Sequence, residues 1–231
     1  MKSPAAIRSR VLFCPPVCPG RRKGQPAPRP GSTPEQNFSA TLVLGGCRSG
    51  KTAWAEEEGF KLLQSGGARR SQYLIYIATA QGEGDPAMQE RIARHQSLRH
   101  PAWHTLEAPL DLPETLTRAM SGKSCPTGLD GQRPRAVLVD CVTVWLANLM
   151  AAGLDQAAVL ERAEHLARLL RAPNCPVLVV SNETGLGVAP STALGNYFRD
   201  MAGLVNQTLV KSCANVYFIV SGLAQQLKGA F

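Results

Sequence analysis

The residues Gly45-Gly46-Cys47-Arg48-Ser49-Gly50-Lys51-Thr52 fit the spacing G-x-x-x-x-G-K-[ST], which builds a cradle for phosphate. Glycines at both ends let the backbone turn its N–H groups inward, and a helix N-terminus behind them favours negative charge. Lys51 then reaches the β- and γ-phosphates of a nucleotide, and the Thr52 hydroxyl suits Mg2+. A Gly-rich turn with a solvated lysine matches the same pattern by chance. The setting argues for the nucleotide site: the apolar run Thr41-Leu42-Val43-Leu44 reads as a strand before it, and Ala53-Trp54-Ala55-Glu56-Glu57-Glu58 as a helix after it. A second candidate is Asp140, which closes the apolar run Ala136-Val137-Leu138-Val139. An acid in that place holds Mg2+ opposite the loop hydroxyl, directly or through water. The alternative is an N-cap for a helix starting near Thr143.

The segment Asp85 to Arg99 carries a histidine on a helix with readable ends. Asp85 suits the N-cap, Pro86 the first turn, and Pro101 stops the helix. At helical spacing Met88, Ile92 and His95 share one face, with Arg99 a turn further on. His95 therefore lies on the inward stripe, apart from Arg91 and Arg94. On this helix alone, a core histidine with satisfied ring nitrogens is the better account.

The elements that must position these groups follow from four more apolar runs: Tyr73-Leu74-Ile75-Tyr76-Ile77-Ala78, Ala136 to Val139, Val177-Leu178-Val179-Val180 and Val216-Tyr217-Phe218-Ile219-Val220. None alternates cleanly, so each reads as a strand buried on both faces. Helical patterns separate them, plainest from Leu160 to Leu170. Strands alternating with helices predict an α/β fold, a mainly parallel sheet with helices on both faces. Ligands in such sheets gather at the carboxyl ends of the strands. Those ends hold the phosphate loop, Ala78-Thr79-Ala80, Asp140-Cys141, Ser181-Asn182-Glu183 and Ser221-Gly222.

The 231 residues suit one α/β domain with a real core, expected over residues 41–231. Residues 1–40 are different. Seven basic residues face the single acid Glu35 there, which accounts for +6 of the formal +8. With its many Pro and Gly, this stretch buries too little apolar surface to fold and is expected to be disordered. It lacks the apolar core of a secretory signal, because Val11-Leu12-Phe13 ends at Cys14-Pro15-Pro16. An organellar transit peptide and a weak nucleic-acid arm remain open, though an over-extended N-terminus accounts for it better. The Gly/Pro-rich stretch 121–134 reads as a surface loop. Seven scattered cysteines without paired C-x-x-C spacing predict reduced thiols in a cytoplasmic protein. No apolar run approaches the roughly 20 residues that cross a bilayer.

From about residue 41 to the end, the chain resembles the bifunctional adenosylcobinamide kinase / adenosylcobinamide-phosphate guanylyltransferase family of cobalamin biosynthesis. The blocks that carry the resemblance begin with Gly45 to Thr52, Tyr76-Ile77-Ala78-Thr79-Ala80, Met88 to Arg99 and Trp103-His104-Thr105-Leu106-Glu107. They continue with Val139-Asp140-Cys141-Val142-Thr143, Asn148-Leu149, Ser181 to Gly187 and Phe198 to Gln207. The tail 1–40 and the loop 121–134 stand outside it.

The resemblance implies a P-loop fold and two reactions at one nucleotide site, with ATP and GTP as substrates and Mg2+ as cofactor. Adenosylcobinamide takes the γ-phosphate of a nucleoside triphosphate on its aminopropanol hydroxyl. GTP then gives GMP to that phosphate, forming adenosylcobinamide-GDP and pyrophosphate. The matching position for the family's guanylylated histidine is His95, with Lys51 supporting the phosphates. An imidazole with an ordinary pKa of about 6.5 is mostly neutral and nucleophilic near neutrality. The resemblance also places Ala78, Thr79, Ala80, Gln96, Ser97, Leu98, Arg99, Glu107 and Asp140 around the guanine nucleotide, and implies a homotrimer. Glu107 is chemically suited to accept from guanine N–H groups, although a surface carboxylate fits the same position.

Two other readings stay open on sequence. One is a plain P-loop small-molecule kinase in which His95 is structural. The other is a nucleic-acid-binding NTPase that uses the basic tail. The second is the weaker, because the charge lies in a tail rather than on a folded face and aromatics are few.

Overall fold

Each of the five apolar runs folds as a strand, and all join one seven-stranded sheet of order β3-β2-β4-β5-β1-β6-β7. The computed structural model describes residues 38–65, 73–80, 89–90, 99–124, 126 and 132–229. The tail expected over 1–40 falls almost wholly outside them, as does most of the helix expected over 85–99. The strands are β1 (Ala40–Gly45), β2 (Leu74–Ala78), β3 (Trp103–Glu107), β4 (Val137–Asp140), β5 (Val177–Val180), β6 (Asn215–Val220) and β7 (Leu223–Lys228). Pairing is parallel except between β6 and β7. The helices are α1 (Lys51–Gln64), α2 (Leu112–Met120), α3 (Val142–Ala151), α4 (Gln156–Arg171) and α5 (Ala193–Ser212).

Continuous apolar strands are required because successive residues point to opposite faces and both faces are covered. Leu42, Ile75, Ile77, Val137, Val139, Val177 and Val179 enter one core with α2 to α5. Val43, Leu74, Tyr76, Leu138, Leu178 and Val180 enter the other with Ala55 of α1 and Trp103. The last apolar run departs from this pattern, since Val220 is 51% exposed near the sheet margin. Two strands were not expected from periodicity. β3 and β7 lie at the two edges, where Thr105, Glu107, Gln225 and Lys228 keep the runs polar.

Trp145 of α3 is fully buried in the larger core, and its indole N–H donates to the Leu110 carbonyl at 2.9 Å. Trp145→Ala is expected to reduce the unfolding free energy by about 3–5 kcal/mol. Urea denaturation checks this, and a loss below about 1 kcal/mol would contradict the assigned core. The described cysteines Cys47, Cys141, Cys175 and Cys213 are all free thiols. Burial pushes the Cys175 and Cys213 thiols up to about 12, which leaves them unreactive. No helix among the described residues is long and apolar enough to cross a membrane.

Candidate active site

Backbone conformation shapes the loop between β1 and α1. Gly45 has φ 154°, and a Cβ there would lie 2.5 Å from the Ile219 carbonyl oxygen. Gly50, the N-cap of α1, has φ 94°, and a Cβ there would approach Gly222 Cα to 3.2 Å. Glycine fits both positions because it alone adopts such φ without strain. The approach to Gly222 is a brace. Ser221 and Gly222, with φ 51° and 83°, form the two-residue turn of the β6–β7 hairpin. The Gly222 N–H donates to the Ser49 carbonyl at 2.8 Å, so the hairpin holds the loop. No side chain caps α1, which leaves its first-turn N–H groups available to an anion.

Lys51 is only 7% exposed. Its ammonium donates to the Gly46 carbonyl at 2.5 Å and to Ser49 Oγ at 3.5 Å. Burial lowers its pKa, while Cys141, Cys47 and Asp140 pull the other way. A partly desolvated ammonium at a helix start interacts with phosphate more strongly than one in water.

Asp140 ends β4 across from α1. Thr52 Oγ1 donates to its carboxylate at 3.3 Å (Oδ1) and 3.4 Å (Oδ2), and the Tyr76 hydroxyl donates to Oδ2. The N-cap of α3 is Cys141, without a side-chain cap bond, so Asp140 faces Thr52 instead of capping that helix. A hydroxyl and a carboxylate converging beside a phosphate cradle form a hard oxygen donor set that fits Mg2+. Tyr76 also carries the Arg99 guanidinium on its ring, 3.3 Å from the centroid. Arg99 Nη1 donates to Thr105 Oγ1 at 2.6 Å. Burial, then the Asp140 charge, raises the Tyr76 pKa, so the phenol stays a donor to Asp140. Burial likewise raises the Glu56 pKa, against the lowering effect of Arg99.

These groups line a cleft of about 460 Å³ at the carboxyl ends of the strands. Its walls bring together the expected Cys47, Arg48, Ser49, Gly50, Lys51, Thr52, Ala78, Ala80, Arg99, Glu107 and Asp140. Gly45 and Gly46 form the entry to the loop behind them. Glu107 is exposed at the end of β3, with its side chain on the cleft wall. His95, Gln96, Ser97 and Leu98 lie outside the described residues.

Thr79, which the resemblance sets among the residues around the nucleotide, turns its hydroxyl to neighbouring backbone. It is fully buried, and its hydroxyl donates to the Cys141 carbonyl at 2.8 Å and accepts from the Cys141 N–H at 2.9 Å. Its own N–H donates to the Asp140 carbonyl, and its carbonyl accepts from Asn148 Nδ2 at 2.8 Å. Every polar group of Thr79 is engaged, so it fixes the turn after Asp140. Sequence reasoning missed six lining residues: Ala53, Tyr76, Cys141, Val144, Val180 and Asn182. Tyr76 was hidden inside an apolar strand, whereas Asn182 was visible as a polar strand end without an assigned role.

A phosphate loop after β1, an acid at the end of β4 and a parallel sheet between helices define a P-loop nucleotide-binding enzyme. Residues 41–227 match the family model described as "CobU: Cobinamide kinase / cobinamide phosphate guanyltransferase", and the chain belongs to that family. It is 40% identical over 188 residues to the bifunctional adenosylcobalamin biosynthesis protein CobP of Pseudomonas aeruginosa, covering 81% of this chain and 96% of that protein. It is 32% identical to the bifunctional adenosylcobalamin biosynthesis proteins CobU of Escherichia coli and Salmonella typhimurium, covering 81% of this chain and 98% of each. Among solved structures, the P4 protein from bacteriophage phi6 in complex with ADP is similar at 18% identity and TM-score 0.39. That likeness covers 90% of this chain and 60% of the phage chain, and is too low to carry an argument. The family's two transfers, a phosphorylation of cobinamide and a guanylylation of cobinamide phosphate, are those of this enzyme.

Proposed function

We propose that both transfers use the one cleft, with Mg2+ at the Thr52–Asp140 corner and His95 as the carrier of GMP. The observation that supports this most is the convergence of Lys51, Thr52 and Asp140 on one wall of a cleft that extends to Arg99 and Glu107. In the first transfer, the aminopropanol hydroxyl of adenosylcobinamide bonds to the γ-phosphorus of ATP or GTP. The bond to the β–γ bridging oxygen breaks, that oxygen keeps the electron pair, and the hydroxyl proton leaves to solvent. Lys51 and the N–H groups of α1 hold the phosphates through the change. Mg2+ would be held by Thr52 and Asp140 and would neutralise charge developing on the β- and γ-oxygens.

In the second transfer, an imidazole nitrogen of His95 bonds to the α-phosphorus of GTP as pyrophosphate departs. The ring then loses a proton, leaving an N-guanylyl imidazole whose ring is neutral and whose phosphoryl group keeps its negative charge. A phosphate oxygen of adenosylcobinamide phosphate then displaces the ring, which regains a proton from solvent as the P–N electron pair returns to nitrogen, so that neutral His95 is restored. Splitting the transfer in two is what a covalent carrier contributes. Glu107 suits guanine recognition because a carboxylate accepts from two ring-edge N–H groups at once. A homotrimer in the cytoplasm completes the proposal.

Asp140→Asn tests the metal corner. The variant keeps the shape of the side chain and its bond from Tyr76 but loses the charge. It is expected to fold with an unchanged far-UV spectrum and to need at least about tenfold more Mg2+ for half-maximal activity in both transfers. Direct Mn2+ binding, followed by electron paramagnetic resonance in the presence of nucleotide, should weaken in parallel. An unchanged metal dependence would leave Asp140 as a structural acid.

A further inference from the structure

Asn182 sits two residues beyond the end of β5, the strand between the Asp140 strand and the phosphate-loop strand. In register, Val180 pairs with both Val43 and Asp140, so Asn182 emerges between the loop and the metal corner. It lines the cleft, and among the described residues its carboxamide makes no hydrogen bond. Its backbone is held on both sides. The Asn182 N–H donates to Thr143 Oγ1 at 2.7 Å, and the Asn182 carbonyl accepts from Asn206 Nδ2 at 3.0 Å.

Those two contacts belong to one closed ring. Ser181 Oγ donates to Asn206 Oδ1 at 2.7 Å, which uses its only proton. The 3.2 Å contact between Thr143 and Ser181 must therefore run from the Thr143 hydroxyl to the Ser181 oxygen. Ser181, Asn206 and Thr143 are 2%, 5% and 7% exposed. A buried polar ring costs desolvation unless every member is satisfied, and here each donor has its acceptor. The ring spans α3, β5 and α5, and both of its links to Asn182 are to backbone. Its effect is to fix the peptide from which a free carboxamide projects into the cleft.

We propose that the Asn182 carboxamide is a catalytic contact of the kinase step, gripping an oxygen of the transferring γ-phosphoryl group, and that Asn206 is its positioning residue. This rests on the reading that nucleotide phosphates occupy this cleft. A neutral amide suits the place between Lys51 and the metal corner. Its N–H groups stabilise charge on the phosphoryl oxygens, and a donor held in advance needs no reorganisation during transfer. The α-phosphorus lies further along the nucleotide, so guanylyl transfer depends on this contact less.

The test is a double-mutant cycle on the full chain with both transfers measured. Asn182→Ala is expected to lower the kinase kcat by about 100-fold. The nucleotide KM should move less than about threefold, and the ratio of kinase to guanylyl-transfer kcat should fall at least about tenfold. Asn206→Ala should lower the kinase kcat by about tenfold alone and by nothing further when combined with Asn182→Ala. If Asn206→Ala does not fold, Ser181→Ala opens the same ring at a small residue and carries the same cycle. Losses that multiply in the double variant would make the ring merely structural and overturn the positioning role. Near wild-type kinase activity in Asn182→Ala, with Lys51→Ala inactive, would overturn the contact while leaving the cleft in place. Activity in Lys51→Ala as well would mean that the cleft reading itself has failed.

Discussion

Lys51→Ala is expected to lower kcat/KM of both transfers by about 100- to 1,000-fold, equivalent to about 3–4 kcal/mol of lost transition-state stabilisation. The ammonium lies at the start of α1 among residues that line the cleft, and burial has stripped much of its water. A charge-assisted contact in such a place is worth more than one at the surface. Both reactions move negative charge on the nucleotide phosphates, the γ-phosphoryl group in one case and the departing pyrophosphate in the other. The loss should therefore appear in both assays. Stability should change little, because Lys51 is held by the Gly46 carbonyl and the Ser49 hydroxyl, both within its own loop. Lys51→Arg should not restore activity, since a planar guanidinium does not fit a cradle built around a compact ammonium. The check is steady-state kinetics of each transfer with thermal unfolding as the folding control. A variant that turns over at near wild-type rate in both assays would contradict a shared cradle.

The phosphate loop was legible because its chemistry is local. Glycines 45 and 50 are needed at backbone angles that the eight-residue spacing encodes, and the flanking strand and helix announce themselves by hydropathy. The inner strands were legible for a related reason, since burial on both faces leaves no polar residue to interrupt them. The edge strands β3 and β7 have one polar flank, and their identity comes from pairing with Leu74 and Val216, which periodicity does not register. Asp140 was readable as the acid ending an apolar run.

Its partners were not readable. The link from Thr52 to Asp140 spans 88 positions, that from Tyr76 to Asp140 spans 64, and the Thr143–Ser181 contact spans 38. No local pattern relates residues so far apart. Tyr76 was a further difficulty, because its ring packs as core while its hydroxyl serves the site. Thr79 presents the converse case. A threonine at a strand end beside a nucleotide loop invites a binding role, yet its hydroxyl is consumed by the Cys141 backbone. Asn206 illustrates the same limit on α5, where a buried amide inside a helical pattern gives no sign of the ring it closes.

The covalent carrier is the claim on which the two-reaction account turns, and incubation with α-labelled GTP and Mg2+ tests it most directly. The protein is expected to retain label as a phosphoramidate, lost in acid and stable in base, because a P–N bond becomes labile when its nitrogen is protonated. His95→Asn should abolish both the label and guanylyl transfer. It should spare much of the kinase step, because γ-phosphoryl transfer to a hydroxyl needs no nucleophile from the protein. Label confined to His95 in the wild type, mapped by mass spectrometry, is the predicted result. Equal labelling of His95→Asn, or an unlabelled wild type with an intact kinase reaction, would contradict it.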